Sequence, residues 1–263
     1  MKIGIALFAY PIPLDEQILQ MKKNGFETTF CGSTSPTLDL EMRLCREAGI
    51  EVENYHAPFG HINDIWRDIP EGEQMLGELL ESVDNCDRYD VRTLVVHLSS
   101  GERPPRINEL GFSRFERLMA YAKEKGVTIA YENQRKLANL AMVFEEFEDA
   151  GFCWDTGHET CFTHGREYMP LFGDKLVALH VHDNHCIYNG DDHMIPYDAS
   201  IDFDRVARQI AAVNYQKSLM LELIAKHMPS YLELSAETYY ARAAAAARKL
   251  VGAIEAAKNN FAF

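Results

Sequence analysis

The chain has 263 residues, a length typical of one barrel domain, and its composition of 47% hydrophobic and 25% charged residues is that of an ordinary globular protein. The formal net charge of −14 disfavours attraction to the phosphates of nucleic acid or to an anionic membrane surface. No apolar run is long enough to span a membrane or to serve as a signal peptide, so we expect a soluble, cytoplasmic protein.

Short β-rich runs alternate with amphipathic stretches along the chain, a pattern typical of βα units and a parallel sheet. The runs that predict strands are residues 2–8, 27–31, 52–56, 93–97, 128–132, 152–155, 177–182 and 219–223. The stretches that predict helices are residues 14–24, 38–48, 71–88, 112–125, 136–149, 202–214 and 233–258. Residues 183–200 are polar without a clear period, which predicts a long loop, and loops of this length are usually functional.

Eight strands with intervening helices close naturally into a barrel, and we expect a single (β/α)8 TIM barrel domain over residues 1–263. An open, doubly wound sheet is the alternative fold. No glycine-rich phosphate-binding sequence follows the first predicted strand, which disfavours that alternative.

Six of the predicted strands carry, at their C-terminal end, a side chain that can bind a metal ion. These side chains are His56, His97, Glu132, Asp155, His180 and Glu222. All strand C termini of a (β/α)8 barrel open on the same face, so residues far apart in the sequence converge in one cavity. One such residue would mean little, but six in register are hard to explain as packing. The pattern therefore predicts a metal-binding active site at the C-terminal mouth of the barrel.

Further candidates lie close to these strand ends. His180 and His182 are two residues apart, so in a regular strand both face the same side, and the spacing alone does not choose a ligand. Asp191 and His193 lie in the predicted loop that follows. His158 lies within one turn of the end of the sixth predicted strand.

Four segments resemble the xylose-isomerase-like barrel superfamily, which includes sugar-phosphate isomerases, ketose 3-epimerases and the DNA repair enzyme endonuclease IV. The segments are 131–133 (Tyr-Glu-Asn), 154–158 (Trp-Asp-Thr-Gly-His), 180–184 (His-Val-His-Asp-Asn) and 221–223 (Leu-Glu-Leu). The resemblance covers essentially the whole chain. Its ordered motifs are specific for the superfamily and only weakly specific for any one reaction.

The resemblance implies a set of metal ligands. Four residues match those that bind one divalent ion in the epimerases: Glu132, Asp155, His180 and Glu222. Five more match the additional ligands of the three zinc ions in the endonuclease: His56, His97, His158, Asp191 and His193. One divalent ion is therefore expected, and up to three could bind. The resemblance also selects His180 over His182, while carboxylate and imidazole ligands suit Mn, Zn, Mg or Co without choosing among them.

The chain departs from the family pattern at two places. Residues 196–203, Pro-Tyr-Asp-Ala-Ser-Ile-Asp-Phe, lack both glycines of the Pro-Gly-x-Gly turn that commonly precedes Ile-Asp-Phe. Cys186, with His185 beside it, stands where ketose 3-epimerases have an arginine that contacts substrate. The family's substrate contact therefore cannot simply be transferred.

Two glutamates that bind the same ion suggest a sugar isomerase or epimerase. The ion would polarise a carbonyl, and Glu132 and Glu222 would act as the catalytic pair that removes the neighbouring carbon-bound proton and returns one. His158 would hydrogen-bond a substrate oxygen or bind a second ion. Aromatic residues that follow strand ends could stack on a sugar ring. The predicted substrate-binding residues are His158, Tyr10, Phe59, Trp66 and His185.

Three other functions stay open, because a fold-level resemblance does not fix the substrate. One is a metal-dependent dehydratase or lyase acting on a keto-sugar or inositol derivative. Another is a zinc phosphodiesterase that cleaves abasic DNA, although the sequence has no evident basic stripe for nucleic acid. The third is a non-catalytic protein that keeps the fold. We expect a small sugar or sugar derivative as the ligand, and assembly into a homo-oligomer is left open.

Overall fold

The computed structural model describes residues 1–163 and 166–261 and contains one parallel sheet of eight strands. The strands are β1 (Ile3–Ile5), β2 (Thr28–Gly32), β3 (Glu51–His56), β4 (Thr93–Val96), β5 (Thr128–Glu132), β6 (Gly151–Asp155), β7 (Leu176–His180) and β8 (Leu219–Leu221). They pair in chain order from β1 to β7, and β1 also pairs with β8. A parallel bridge between Val181 and Leu221 joins β7 to β8. The sheet therefore closes into the predicted (β/α)8 TIM barrel.

Helices connect the strands and cover the outside of the sheet. They are α1 (Leu14–Lys23), α2 (Leu38–Ala48), α3 (Pro70–Tyr89), α4 (Glu109–Glu124), α5 (Leu137–Glu146), α6 (Thr156–Thr163), α7 (Met169–Phe172), α8 (Phe203–Ala211), α9 (Pro229–Leu232) and α10 (Ala236–Phe261). Single 3₁₀ turns lie at Ile62–Trp66, Gly173–Lys175 and Ala225–His227. In the described ranges, every helix is too short or too polar to cross a lipid bilayer.

The seven predicted helices are present with their ends shifted by a few residues, whereas α6 and α7 between β6 and β7 were not predicted. Six of the eight residues of α6 are buried, so it has no polar face to give an amphipathic period. The four-residue helices α7 and α9 are too short to show a period at all. These elements are visible only once tertiary packing is known.

Several strands end earlier at the mouth than the apolar runs suggested. β1 ends at Ile5 rather than at residue 8, β7 at His180 rather than at 182, and β8 at Leu221 rather than at 223. After β1 the chain turns, because the Ala9 N–H donates to the carbonyl of Ala6 at 3.2 Å. Leu7 and Phe8, beyond the end of β1, therefore line the cavity at the mouth, whereas Val181 and Leu223 are buried.

The predicted loop at residues 183–200 is irregular and is held by one carboxylate. The side chain of Asp183 accepts hydrogen bonds from the N–H groups of Ala199, Ser200 and Ile201 at 2.8, 3.1 and 2.9 Å. Tyr197, where the family has the first glycine of its turn, has a φ of 73°, in the left-handed region that favours glycine. The chain thus keeps a left-handed residue at this position without glycine, and Asp183 supports the turn.

Two aromatic residues that we expected to stack on a sugar are packing residues in the structure. Trp66 is buried against Phe115 at a centroid distance of 5.3 Å, and its Nε1 donates to the Leu98 carbonyl at 2.7 Å. Tyr10 is buried against Tyr239, and its hydroxyl donates to a backbone carbonyl at 2.6 Å. The apolar body and the polar tip of each side chain are therefore already satisfied within the core.

The packing around Trp66 leads to a stability prediction. A Cβ added at Gly111, in the first turn of α4, would lie 2.1 Å from Cε3 of Trp66. Gly111→Ala should therefore lower the free energy of unfolding in urea by about 1–3 kcal/mol. Gly77, on the exposed face of α3, has nothing within 4 Å of an added Cβ, so Gly77→Ala should raise it by about 0.5–1 kcal/mol. Equal effects of the two changes would contradict this packing.

Candidate metal centre at the barrel mouth

Four neighbouring strands each deliver one of the predicted ligands to the same point. Glu132, Asp155 and His180 are the last residues of β5, β6 and β7, and Glu222 directly follows β8. All four side chains are buried, and one potential ligand atom from each lies within 4.8 Å of the others. The parallel sheet therefore brings together residues that are far apart in the sequence, as predicted from the strand ends.

Unsatisfied atoms in this group fit a bound cation. Among the described residues, both ring nitrogens of His180 are buried without a hydrogen-bond partner, while Oε1 of Glu132 lies 3.0 Å from Nδ1 of His158. Nδ1 of His180 lies 3.5 Å from Glu132 Oε1 and 3.3 Å from Glu222 Oε2. A buried polar group left unpaired costs about 1–3 kcal/mol, so such atoms are rarely clustered without a reason. Three carboxylates and an imidazole are ligands that suit a divalent ion.

A second group of potential ligands shares Glu132 with the first. Nε2 of His97 lies 2.8 Å from Glu132 Oε2, and Nε2 of His56 lies 3.2 Å from the same oxygen. Nδ1 of His97 is buried without a hydrogen bond, while Nδ1 of His56 contacts the Ala57 carbonyl at 2.7 Å. Glu132 thus offers one oxygen to each group, the geometry that a bridging carboxylate requires.

A third group lies on the other side of the mouth and includes His182. One potential ligand atom from each of His182, Asp191 and His193 lies within 4.8 Å of the others. His158 approaches the same carboxylate, with Nε2 at 3.3 Å from Asp191 Oδ2. His182 also contacts Asp155 at 3.1 Å, so it connects the first group to the third. His182 was not predicted as a site residue, although its spacing of two residues from His180 could have indicated it.

The carboxylates and imidazoles of these groups shift one another's pKa. Burial raises the pKa of Glu132, but His97 and His180 outweigh it and hold that pKa well below its ordinary value. Burial lowers the pKa of His158, yet Asp155 and Asp191 raise it well above its usual range. The pKa of Glu222 is lowered and that of His180 raised by their neighbours in the same way, whereas burial lowers the pKa of His97. Glu132 and Glu222 are therefore ionised, and His158 and His180 hold protons that a metal ion would have to displace on binding.

A cavity of about 850 Å³ opens above the three groups and includes Glu132, His158 and Glu222 in its lining. Phe59 lines this cavity, is 46% exposed, and lies against His97 with a centroid distance of 4.5 Å. Phe8 lines it too and is 45% exposed, although the sequence analysis placed it inside a strand and missed it. The cavity is large enough for a small molecule and combines aromatic walls with a polar floor.

Other side chains depart from the sequence expectation in both directions. His185 is exposed, pairs with Asp192 at 2.8 Å and does not line the cavity. Gln134 and Arg135 do line it, and Nε2 of Gln134 lies 3.1 Å from Nδ1 of His158. Their position two and three residues after Glu132 was the only sequence signal for them.

The chain matches the family model described as xylose isomerase-like TIM barrel over residues 21–250, and it belongs to that family. A relative from Sinorhizobium fredii, the uncharacterized protein y4fM, is 33% identical over 160 residues. That match includes 57% of this chain and 50% of the relative, so the chain spans about half the length of the curated relative it matches.

Solved structures agree with this fold at low sequence identity. D-Psicose 3-epimerase from Clostridium cellulolyticum H10, solved with D-tagatose, matches with a TM-score of 0.76 and 14% identity, covering 97% of this chain and 99% of that chain. A 3-keto-D-glucoside 4-epimerase from E. coli matches with a TM-score of 0.72 and 18% identity over 96% and 99%. An L-ribulose 3-epimerase matches with a TM-score of 0.76 and 16% identity over 99% and 97%. At these identities the similarity concerns the fold.

The geometry of the first group predicts a bound metal ion. Purified protein reconstituted with Mn, Zn, Mg or Co should hold at least one divalent ion by elemental analysis. Glu132→Gln or Asp155→Asn should lower the occupancy, because each removes one charged ligand. Asp192→Asn is the matched control, since Asp192 lies at the same mouth but outside the three groups. Protein without metal after reconstitution would contradict the prediction.

The second and third groups predict that more than one ion binds when zinc is abundant. A calorimetric zinc titration should show one tight site and at least one weaker site. His97→Ala and His193→Ala should each weaken or remove a weaker site and spare the tight one. The exposed His185 provides the control, since His185→Ala should change neither. Saturation at a single ion in all variants would leave His97 and His193 as residues of the cavity wall.

Proposed function

We propose that the protein is a divalent-metal-dependent sugar isomerase or epimerase that acts by removing a proton next to a carbonyl. The observation that carries this proposal is the position of Glu132 and Glu222, which belong to the same four-residue group and both line the cavity. Two carboxylates at one ion suit a reaction that takes a proton from carbon and returns one to it.

The chemistry divides between the ion and the side chains. A divalent ion held by Glu132, Asp155, His180 and Glu222 would polarise a carbonyl and so acidify the neighbouring C–H bond. One of the two glutamates accepts that proton, which its depressed pKa permits because it stays ionised at neutral pH. If the other glutamate returns a proton to the opposite face, the product is the epimer. Proton return to the adjacent carbon gives isomerisation between aldose and ketose.

The remainder of the cavity supports a sugar substrate. The rings of Phe8 and Phe59 form exposed aromatic walls, and such rings pack well against the apolar faces of a sugar. His158, with its raised pKa, offers a ring N–H to a substrate oxygen. A dehydratase or lyase acting on a keto-sugar or inositol shares the first proton transfer and differs in losing water or another leaving group afterwards.

A second candidate function is hydrolysis of abasic DNA. The observation in its favour is that three groups of potential ligands lie together, as a trinuclear phosphodiesterase needs. Against it stands the net charge of −14, which leaves little to neutralise the phosphates that flank a lesion. We therefore favour a small sugar or sugar derivative as the substrate.

The proposed proton transfer predicts solvent exchange. Incubation of the metal-loaded protein with a ketose substrate in D2O should place deuterium at the reacting carbon, as measured by NMR. Glu132→Gln and Glu222→Gln should each reduce turnover by at least about 100-fold, the lower end of the range for loss of a general acid or base. Asp192→Asn should leave turnover unchanged within about twofold.

Metal content has to be measured in each glutamine variant, because both glutamates are also candidate ligands. A variant that keeps its metal and loses turnover assigns the loss to proton transfer. Turnover without solvent deuterium would argue against this exchange mechanism. Incision of an abasic DNA duplex at a rate far above any sugar turnover would replace the proposed function with the hydrolytic one.

A further inference from the structure

Arg135 is an isolated cation in the wall of the cavity. It is the only lysine or arginine among the described residues that line this cavity, which otherwise holds carboxylates and imidazoles as its ionisable groups. Its guanidinium carbon lies 3.6 Å from the centroid of the Phe162 ring. The Phe162 ring also stacks on the ring of His158, with the two centroids 4.6 Å apart. Arg135 is therefore fixed in place next to the candidate metal centre.

Among the described residues, most N–H donors of this guanidinium have no acceptor. Nη2 of Arg135 donates to Oδ1 of Asn189 at 2.8 Å, while Nε is buried without a hydrogen-bond partner. In residues 1–163 and 166–261 the side chain forms no ion pair, unlike the buried Arg114, which pairs with Glu73 at 2.9 Å. A guanidinium has five donors and matches the oxygens of a carboxylate or phosphate. Within the described residues, Arg135 is thus a cation without an anionic partner.

Three more cations line a separate depression, and one of them, Lys136, directly follows Arg135 in the sequence. Arg103, Arg106 and Lys136 line a depression of about 450 Å³ formed by the loops that follow β4 and β5. Within the described part of the chain, none of the three pairs with a carboxylate. Glu102 also lines this depression, so three cations accompany one carboxylate there, and this local excess of positive charge favours an approaching anion in a protein whose net charge is −14.

We propose that Arg135 binds an anionic group, a carboxylate or a phosphate, at the end of the substrate remote from its reacting carbonyl. This proposal rests on the proposed function and narrows its substrate class to sugar acids and sugar phosphates. Arg135 determines specificity, since the proton transfer itself needs only the glutamates and the ion. Arg135 and Glu132 line the same cavity, so one substrate can contact both through its two ends.

A purely structural role for Arg135 makes a different prediction. Asn189 has a φ of 63°, accepts the hydrogen bond from Arg135 and donates to Oε1 of Glu102. Arg135 could thus serve only to tie the loop at residues 183–200 across the mouth. Asn189→Gly removes this tie while it keeps a residue that tolerates the left-handed conformation, so it separates the two roles.

The experiment compares three ketoses that share a carbonyl at C2 and differ at C6: D-fructuronate, D-fructose 6-phosphate and uncharged D-fructose. Dissociation constants are measured by calorimetry with metal-loaded wild-type protein, Arg135→Met, Arg135→Lys and Asn189→Gly. At least one anion should bind wild type more tightly than fructose. Arg135→Met should weaken that anion by about 10- to 100-fold and leave fructose within about threefold, with Arg135→Lys intermediate. Asn189→Gly should affect the charged and uncharged ketoses alike.

The dissociation constants of D-fructuronate and D-fructose 6-phosphate show whether Arg135 prefers a carboxylate or a phosphate. Equal losses for charged and uncharged ketoses in Arg135→Met, matching those in Asn189→Gly, would overturn the proposal in favour of the loop tie. A wild-type protein that binds neither anion more tightly than fructose would overturn it as well. Tighter binding of an anion without deuterium exchange would support the role of Arg135 and contradict the proposed reaction. Deuterium exchange restricted to uncharged ketoses would support the proposed reaction and contradict the role of Arg135.

Discussion

Burial of like charges at the end of a closed parallel sheet is the constraint on which the site depends. Because β5 to β8 end side by side, their last side chains are forced together, and Glu132, Asp155 and Glu222 place three carboxylates within one small volume. Such charges are strongly unfavourable away from water unless they are paired. The imidazoles of the mouth supply part of the pairing, and both ring nitrogens of His180 have no hydrogen-bond partner among the described residues.

The fold and the centre of the site could be predicted because both follow from strand periodicity. A residue at the end of an apolar run in a βα unit has a defined place in a barrel, which is why Glu132, Asp155 and His180 were found from their position alone. Choosing His180 over its neighbour His182 needed the family resemblance, because residues two apart in a strand face the same side. The structure gives both histidines carboxylate contacts, so the ambiguity in the sequence reflects a real closeness in space.

The parts that could not be predicted depend on contacts between distant segments. Trp66 and Tyr10 follow strand ends as a sugar-binding aromatic residue would, yet carbonyls contributed by other loops hold them in the core. Phe8 shows the opposite case, an apolar residue that continues a strand pattern but faces the cavity because β1 ends early. The isolation of Arg135 is likewise invisible in sequence, since it depends on which carboxylates the fold leaves out of reach. The strand periodicity of the sequence predicts the position of a residue in the barrel, whereas tertiary packing determines which side chains and carbonyls it contacts.

Closure of the ring has a consequence for how the chain reaches its native state on the ribosome. Ile3 of β1 pairs with Leu219 of β8, so this pairing can form only after β8 has been synthesised. Contacts of such long sequence separation slow folding. Until β8 emerges, β1 presents an unpaired edge, which is a site for aggregation. The same β8 delivers Glu222, so the final pairing event and the completion of the four-residue group coincide. If the proposed ion binds this group, metal supply during synthesis should influence the yield of folded protein as well as the properties of the completed site.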